Sequence, residues 1–384
     1  QRQMCIRDSF NANLTQIIDT AKLSRLASDI TTDIDQDIQS RSDWERTLKD
    51  GLDLLGLKTE ERTEPWDGAC GVYHPLLTEA AIRFQSEMIS ETFPAMGPVK
   101  AHLRGEQTRQ QEQLAQLVVD DMNYRLTEEM SEFRPEHERM LWSLALMGSA
   151  FKKVYFDPSL DRQTSVFIPA DDVVVPYGAS DILTTPRITH RQRKFKNELR
   201  KMQVSGFYED FDVGDPAKLS QNDFKDKLDT VEGYSSANDD RFTIYETCCY
   251  LHLEDDPESD PNGIELPYVI TILKDSDKIL AIRRNWNESD PSKQPRQHFV
   301  HYIYIPGFGF YGLGLLHLLG NFSSASTSLL RQLVDAGTLS NLPGGLKTNG
   351  LRIKGEDTPI APGEWRDVDV ASGTVRDNIM PLPY

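Results

Sequence analysis

Apolar positions recur at three-to-four spacing through residues 10–60, with Leu48, Leu52 and Leu55 on one face, and predict helix there. The run YHPLLTEAAIRFQSEMISETFP predicts a second helix, with Pro75 suited to its first turn and Phe93-Pro94 as its stop. PVKAHL follows as a short strand. A long helical region covers TRQQEQLAQLVVDDMNYRLTEEM and EHERMLWSLALMG, with Gly148 as terminator. AFKKVYFD and VFIPADDVVVP read as strands. RFTIYETCCYLHLE and IELPYVITILKD flank DDPESDPNG as a long hairpin, and KILAIRR and HFVHYIYIP complete the β-rich stretch. Residues 209–240, rich in Asp, Gly, Ser and Asn, read as a surface insertion. A last helix runs from near Leu315 to about Ser340. Beyond it, GGLKTNGLRIKG places a turn at Asn349-Gly350 between two short strand-like runs, and EWRDVDV and TVRDNIMPLPY add more short strands.

The last helix is short of charge. Between Gly307 and Leu346 only Arg331 and Asp335 are charged, in a chain that is 27% charged. On a helical projection Leu315, Leu319, Phe322, Leu329, Leu333 and Ala336 form one stripe. Ser323, Ser324, Thr327 and Ser328 fill much of the other side, where small hydroxyl side chains permit close approach and bond to carbonyls of their own helix. Two readings stay open. The helix is buried within a monomer, or it packs against copies of itself, with Arg331 and Asp335 pairing within or between chains. One heterologous contact, repeated, closes a ring.

Composition narrows the function classes. With 384 residues, the chain has room for one large domain or two to three smaller ones. No run reaches the roughly 18 apolar residues that a membrane helix needs. Net charge of −18 argues against a conventional nucleic-acid binder, whose affinity comes from Lys and Arg on phosphate, though not against a protein that lets DNA pass without gripping it. The four cysteines have no zinc spacing, and adjacent Cys248 and Cys249 point to opposite faces of a strand, as buried thiols of a reducing compartment would. Residues 1–9, QRQMCIRDS, read as a non-native extension, and the chain stops inside a strand-like pattern, as a fragment would.

One formal motif needs weighing. GFGFYG matches Gly307-x-Gly309-x-x-Gly312 between a strand and a helix, the order of a dinucleotide fingerprint, so a Rossmann-like dinucleotide-dependent enzyme is the alternative reading. The context disagrees. Asp335, the acid that should end a second parallel strand, lies within the helix pattern, and the helix, at roughly 40 Å, exceeds what a crossover requires. Phe308, Phe310 and Tyr311 are bulky for a phosphate-hugging turn, and a strand-to-helix joint with flexible backbone is the better account. His137 has no partner ligand one turn away and reads as solvated or capped. His298 and His301 fall on opposite strand faces. The acidic loop at 255–263 fails the calcium pattern, since Val269 stands where the closing Glu belongs. RITHRQRKFKNELRK, with seven basic residues and one acid, reads as a solvated strand edge and helix face or as a contact for an acidic surface or phosphate. Trp365 packs in the terminal β unit or meets a partner. No catalytic, cofactor or metal residues are expected.

In their order these parts resemble the portal, or head-to-tail connector, proteins of tailed bacteriophages, most closely those of short-tailed phages. YHPLLTEAAIRFQSEMISETFPAMGP resembles the early helix ending in Phe-Pro, LWSLALMGSAFKKVYFDP the helix–Gly–strand step of the wing, and FIPADDVVVPYGASDILTTPRITHR the wing strand pair. GFGFYGLGLLHLLGNFSSASTSLLRQLVDAGTLSNLPGGL resembles the entry into the first stem helix and its exit into the clip. The resemblance implies an α+β fold with a wing over 10–310, a stem helix over 311–343 and an incomplete clip over 344–384, without the second stem helix, tunnel loop and crown. It places the wing–stem joint at Gly307, Gly309, Gly312 and Gly314, the subunit interface at Phe322, Ser324, Ser328, Arg331 and Asp335, and a clip contact at Trp365. It further implies a non-enzymatic homo-oligomeric ring of about a dozen subunits at one capsid vertex of the virion, assembled in the host bacterial cytoplasm and with no membrane partner. Double-stranded DNA passes through it without sequence preference, and terminase large subunit, tail adaptor, capsid and scaffold proteins are its partners.

Overall fold

A computed structural model describes residues 10–57, 61–64, 68–105, 108–157, 160–216, 223–233 and 240–341, and four short strands beyond them. The chain is α+β, and every ladder among the described residues is antiparallel. It divides into two compact units, Gln1–Leu57 with Pro75–Asn321, and Lys58–His74 with Phe322–Tyr384.

In the first unit, α1 (Thr20–Ser40) starts where the Asp19 carboxylate accepts the Ala21 amide at 3.2 Å. Helix α2 (Ser42–Leu52) follows, and Leu48, Leu52 and Leu55 are buried as the spacing predicts. Helix α3 (Leu76–Thr92) begins directly after Pro75 and ends at Phe93. Helix α4 (Arg109–Tyr124) runs through a π-turn, Arg125–Glu129, toward α5 (Phe133–Met147). Gly148 stops α5 in the left-handed conformation, φ +85°. PVKAHL is not a strand: the Val99 amide and carbonyl bond to the Asn123 carboxamide, at 2.9 and 3.3 Å, in place of a ladder.

Strands β1 (Ser149–Asp157), β2 (Arg162–Pro169) and β8 (Phe299–Ile303) make a three-stranded sheet, order β2-β1-β8. Strands β3 (Val173–Val174), β4 (Arg187–Lys194), β5 (Phe242–Leu251), β6 (Leu266–Leu273) and β7 (Lys278–Arg284) make a five-stranded sheet in chain order. The long β5–β6 hairpin is present, with Leu251 opposite Leu266. One sheet face packs Tyr245, Tyr268, Ile270 and Ile282 with Ile30 and Ile34 of α1. The other packs Phe242, Ile244 and Leu280 with Leu199 of α6 (Lys196–Val204). Alternation places Cys248 and Cys249 on opposite faces, as expected. Between residues 209 and 240 the chain forms α7 (Asp223–Glu232).

A buried ionic link joins the two sheets. Lys153 of β1 and Gln192 of β4 both donate to the Glu246 carboxylate of β5, with His190 3.6 Å away. Burial works to raise the Glu246 pKa, but the Lys153 charge and the nearby His190 hold it well below the carboxylate range.

In the basic run beginning at Arg187, β4 pairs with β5 along its length and with β3 only at Thr189 and His190, so the rest of the strand is bordered on one side. Its first arginines meet acids of the same chain. Arg187 bonds to Asp33 at 2.6 Å and Asp37 at 2.7 Å, and Arg191 to Asp172 at 3.0 Å. His137 is neither solvated nor capped. It lies buried against Phe93 and Phe133, without a hydrogen bond at either ring nitrogen, and burial together with Lys152 lowers its pKa to about 4.

In the second unit, β9 (Gly345–Lys347) pairs with β12 (Ile379–Pro381), and β10 (Arg352–Ile353) with β11 (Val368–Asp369). The two strand-like runs around Asn349-Gly350 therefore pair with later strands and not with each other, because the following runs offer them partners. The turn itself lies outside the described residues.

Candidate functional site

The long final helix, α8 (Leu315–Asn341), and the glycine-led loop that launches it form the candidate site. The loop leaves β8, and its fit depends on Gly148. A Cβ on Gly148 would collide with the backbone of Gly312, Leu313 and Gly314, and one on Gly314 with the Leu146 carbonyl. Three glycines from two distant segments thus interlock where no side chain fits. Their polar groups are paired. Ser149 Oγ accepts the Gly312 amide at 2.8 Å and bonds to His301 Nε2 at 3.1 Å. The Leu313 amide donates to the Ile305 carbonyl at 2.8 Å, and the Gly314 amide to His317 Nδ1 at 3.2 Å. Gly312 and Gly314 belong to this joint. A Cβ on Gly309 would meet open space, and one on Gly307 would make ordinary contact with Leu313 and the Tyr311 carbonyl, both at 3.4 Å.

The aromatic residues between these glycines anchor the loop. Phe310 stacks on His301, ring centroids 4.7 Å apart, and His301 stacks on Phe151 at 4.4 Å. Burial pulls the His301 pKa down to about 4. Tyr311 lies on Trp44 at 4.3 Å, donates its hydroxyl to the Val173 carbonyl at 2.8 Å and accepts Arg41 Nη1 at 2.8 Å. Buried Arg41 also donates to the carbonyls of Val173 and Asp171 and pairs with Glu45 at 2.8 Å. Phe308 alone of the loop aromatics is wholly exposed. A dinucleotide turn needs free amides after a parallel strand. Here the amides from Gly312 to Gly314 are engaged, and β8 is antiparallel to β1.

Leu315 and Leu316, in the first turn of α8, belong to the core around Leu48, Leu52 and Leu55, and Leu316 touches Gly51. From Phe322 onward the helix belongs to the second unit, where residues 68–74 run along it as a strap, with Arg62 beside them. Thr327 Oγ1 accepts the His74 amide at 3.1 Å. Arg331 donates to the Val72 carbonyl at 2.9 Å and covers the Tyr73 ring at 4.4 Å. Asp335 accepts the Cys70 amide at 2.8 Å and lies 3.9 Å from Arg62. The register follows from geometry. Two residues of extended chain advance about 6.6 Å and four residues of helix about 6 Å, so every second strap residue meets every fourth helix residue.

The two sides of α8 are therefore used differently. Ser323 and Thr327 are buried on the strap side, while Phe322, Leu329 and Leu333 are 67%, 66% and 72% exposed. Ser324 and Ser328 are exposed too, but their positions on the helix lie nearer Arg331 and Asp335 than that apolar stripe. Among the expected interface residues, Arg331 and Asp335 are brought to the strap, Phe322 lies on the open side, Ser324 and Ser328 are exposed away from the apolar stripe, and Trp365 lies outside the described residues. The strap was not anticipated, although Ser323, Thr327, Arg331 and Asp335 form a polar row at four-residue spacing that signals a polar partner.

A second concavity, lined by Ile188, Cys248, Pro267, Asn285, His298 and Phe299, holds a thiol beside a histidine. Burial and Glu246 push the Cys248 pKa far up, and His298 Nε2 is bonded to Asn285 at 3.0 Å. A thiol in that state is a poor nucleophile. No protein-family model and no curated protein matches the chain.

Proposed function

We propose that the chain is a subunit of a bacteriophage portal, a ring that serves as the DNA channel in genome packaging, tail attachment and genome ejection, and that it is not an enzyme. The observation that carries the reading is the outward apolar side of α8. Phe322, Leu329, Leu333 and Val334 are exposed along a helix whose two charges are already engaged by the strap. A helix so arranged offers neighbours an uncharged flank. Net charge of −18 supports the same reading, because a channel that neutralised many phosphates would hold its cargo instead of letting it slide. Under this reading α8 is the stem, the Gly148–Gly312–Gly314 joint fixes where it leaves the wing, and residues 344–384 meet terminase or tail adaptor.

The test is the assembly state of the chain by native mass spectrometry and negative-stain microscopy, beside the variants Leu333→Asp, Ser324→Glu and Ser328→Glu. Rings of about a dozen subunits, lost on Leu333→Asp and weakened by the two glutamates, are expected, because an unpaired charge in a tight interface is costly. A monomer at high concentration, or rings indifferent to all three substitutions, overturns the proposal.

A further inference from the structure

Two histidines belong to the joint from which α8 departs, and both serve it as hydrogen-bond acceptors. The Gly314 amide lies 3.2 Å from His317 Nδ1. A backbone amide can only donate, so this ring nitrogen carries a lone pair and no proton. Gly314 stands immediately before α8 and His317 is the third residue of the helix. The bond is therefore the side-chain half of a capping box, a place usually filled by Glu or Gln. The second bond runs through a relay. Ser149 Oγ accepts the Gly312 amide at 2.8 Å and lies 3.1 Å from His301 Nε2. Ser149 is fully buried, so its own proton needs an acceptor. Neutral His301 supplies one, which sets the order Gly312 N–H to Ser149 Oγ–H to His301 Nε2.

An imidazolium offers only donors. At His317 it turns a proton against the Gly314 amide, and at His301 it turns one against a hydroxyl that already receives the Gly312 amide. His301 lies between the rings of Phe151 and Phe310, with centroids 4.4 and 4.7 Å away. The charge acting on it is Asp181, whose carboxylate also accepts the Ile182 amide at 2.7 Å. That carboxylate and the ring faces favour the imidazolium, but burial outweighs the carboxylate and keeps His301 neutral. Burial lowers the His317 pKa too, and among the described residues no charged side chain acts on it. Both rings are only half-buried, so protons reach them.

We propose that His301 and His317 form an acid-sensitive latch on the joint: protonation of either ring releases the amide it secures, Gly312 through Ser149 or Gly314 directly, and frees the loop that fixes the start of α8. The latch is set while both rings are neutral and opens as pH falls below the ordinary imidazole range, because the unfastened chain binds more protons. It concerns a single chain and holds whether or not copies form a ring.

The experiment uses the full chain and reads two quantities. Nitrogen NMR of the histidine rings at neutral pH is expected to find His317 Nδ1 and His301 Nε2 unprotonated. Hydrogen exchange, corrected for intrinsic rates, should show protection over residues 307–316 falling about tenfold or more, relative to β5 and β6, between neutral pH and about pH 4.5. Glutamine accepts through its amide oxygen and does not titrate, so His301→Gln combined with His317→Gln should keep the neutral-pH protection and lose the fall. A proton on either named nitrogen at neutral pH overturns the proposal in the unsubstituted chain. So does joint protection that stays constant, that falls only in step with β5 and β6, or that falls equally in the glutamine variant.

Discussion

Lys152 offers the sharpest test of how the first unit is held together. It sits on β1, 2% exposed, with its amine 4.0 Å from the Phe133 ring and no hydrogen-bond acceptor. His137 lies beside it, and Glu136 supplies the neighbouring negative charge, although its oxygens accept the Phe167 amide and Arg139, both at 2.9 Å. Burial outweighs that carboxylate and pulls the Lys152 pKa from 10.5 to about 8. A shift of that size penalises the charged amine by about 3 kcal/mol. The cation–aromatic contact recovers about 1–2 kcal/mol. Lys152→Met keeps the unbranched stem and removes the charge, so it should stabilise the protein at pH 7 by about 1–3 kcal/mol.

The pH dependence separates this cause from improved packing. The unfolded lysine keeps its pKa of 10.5, so between about pH 8 and 10.5 the unfolded chain binds more protons and wild-type stability rises with pH. Below about pH 8 the amine is protonated in both states and the penalty is complete and constant. His137, with a pKa near 4, stays neutral over this whole range. Urea unfolding of wild type and Lys152→Met at pH 7, 9 and 10.5 measures the difference, and groups common to both proteins cancel. The advantage of methionine should be full at pH 7 and shrink toward zero at pH 10.5. A variant less stable than wild type at pH 7, or an advantage independent of pH, would refute the claim that the amine is held out of water.

Three other outcomes can be checked. Gly314→Ala should cost about 3 kcal/mol or more in thermal unfolding, because its methyl meets the Leu146 carbonyl, while Gly309→Ala at an open position should stay within about 0.5 kcal/mol. His137 and His301, both lowered to about 4 from 6.5, are neutral when folded, so stability should fall as pH drops from 6.5 toward 4, by up to about 3 kcal/mol for each, and His301→Gln should flatten the slope in urea titrations. Asp335→Ala removes the acceptor of the Cys70 amide and should cost about 1–3 kcal/mol locally, seen as faster hydrogen exchange over residues 68–74 with α3 unchanged.

Periodicity made the helices and the β5–β6 hairpin readable, because each buries one face and its spacing records that face. The strands of VFIPADDVVVP were readable too, although a short helical turn at Ala170–Asp172 breaks the run. What stayed hidden depends on partners far away in the chain. PVKAHL has strand-like alternation, but a carboxamide 24 residues later takes its backbone bonds. The arginines of β4 read as solvent-facing because Asp33 and Asp37 lie on a different helix. Gly148 was visible as a helix stop, whereas its interlock with Gly312 and Gly314 needed three dimensions. Tyr311 looked like an obstacle in a phosphate turn and is the anchor of the joint. On α8 both the apolar stripe and the hydroxyl row were legible; which of them the chain itself covers was decided by the strap.

That decision bears on how strongly copies could associate through α8. Covering Phe322, Leu329, Leu333 and Val334, each already partly shielded, contributes about 1–2 kcal/mol apiece. The sum lies at the low end of the roughly 4–15 kcal/mol that rigid-body association costs. A single α8 contact is therefore marginal, and two isolated copies should exchange quickly. Under the ring proposal, closing the ring makes the final contact intramolecular, so that contact meets little further association cost. Closure is then what turns a weak flank into a stable assembly, and Leu333→Ala should abolish large assemblies outright in native mass spectra. If Leu333→Ala leaves a graded series of small oligomers instead, closure contributes nothing and the marginal estimate for α8 is too low.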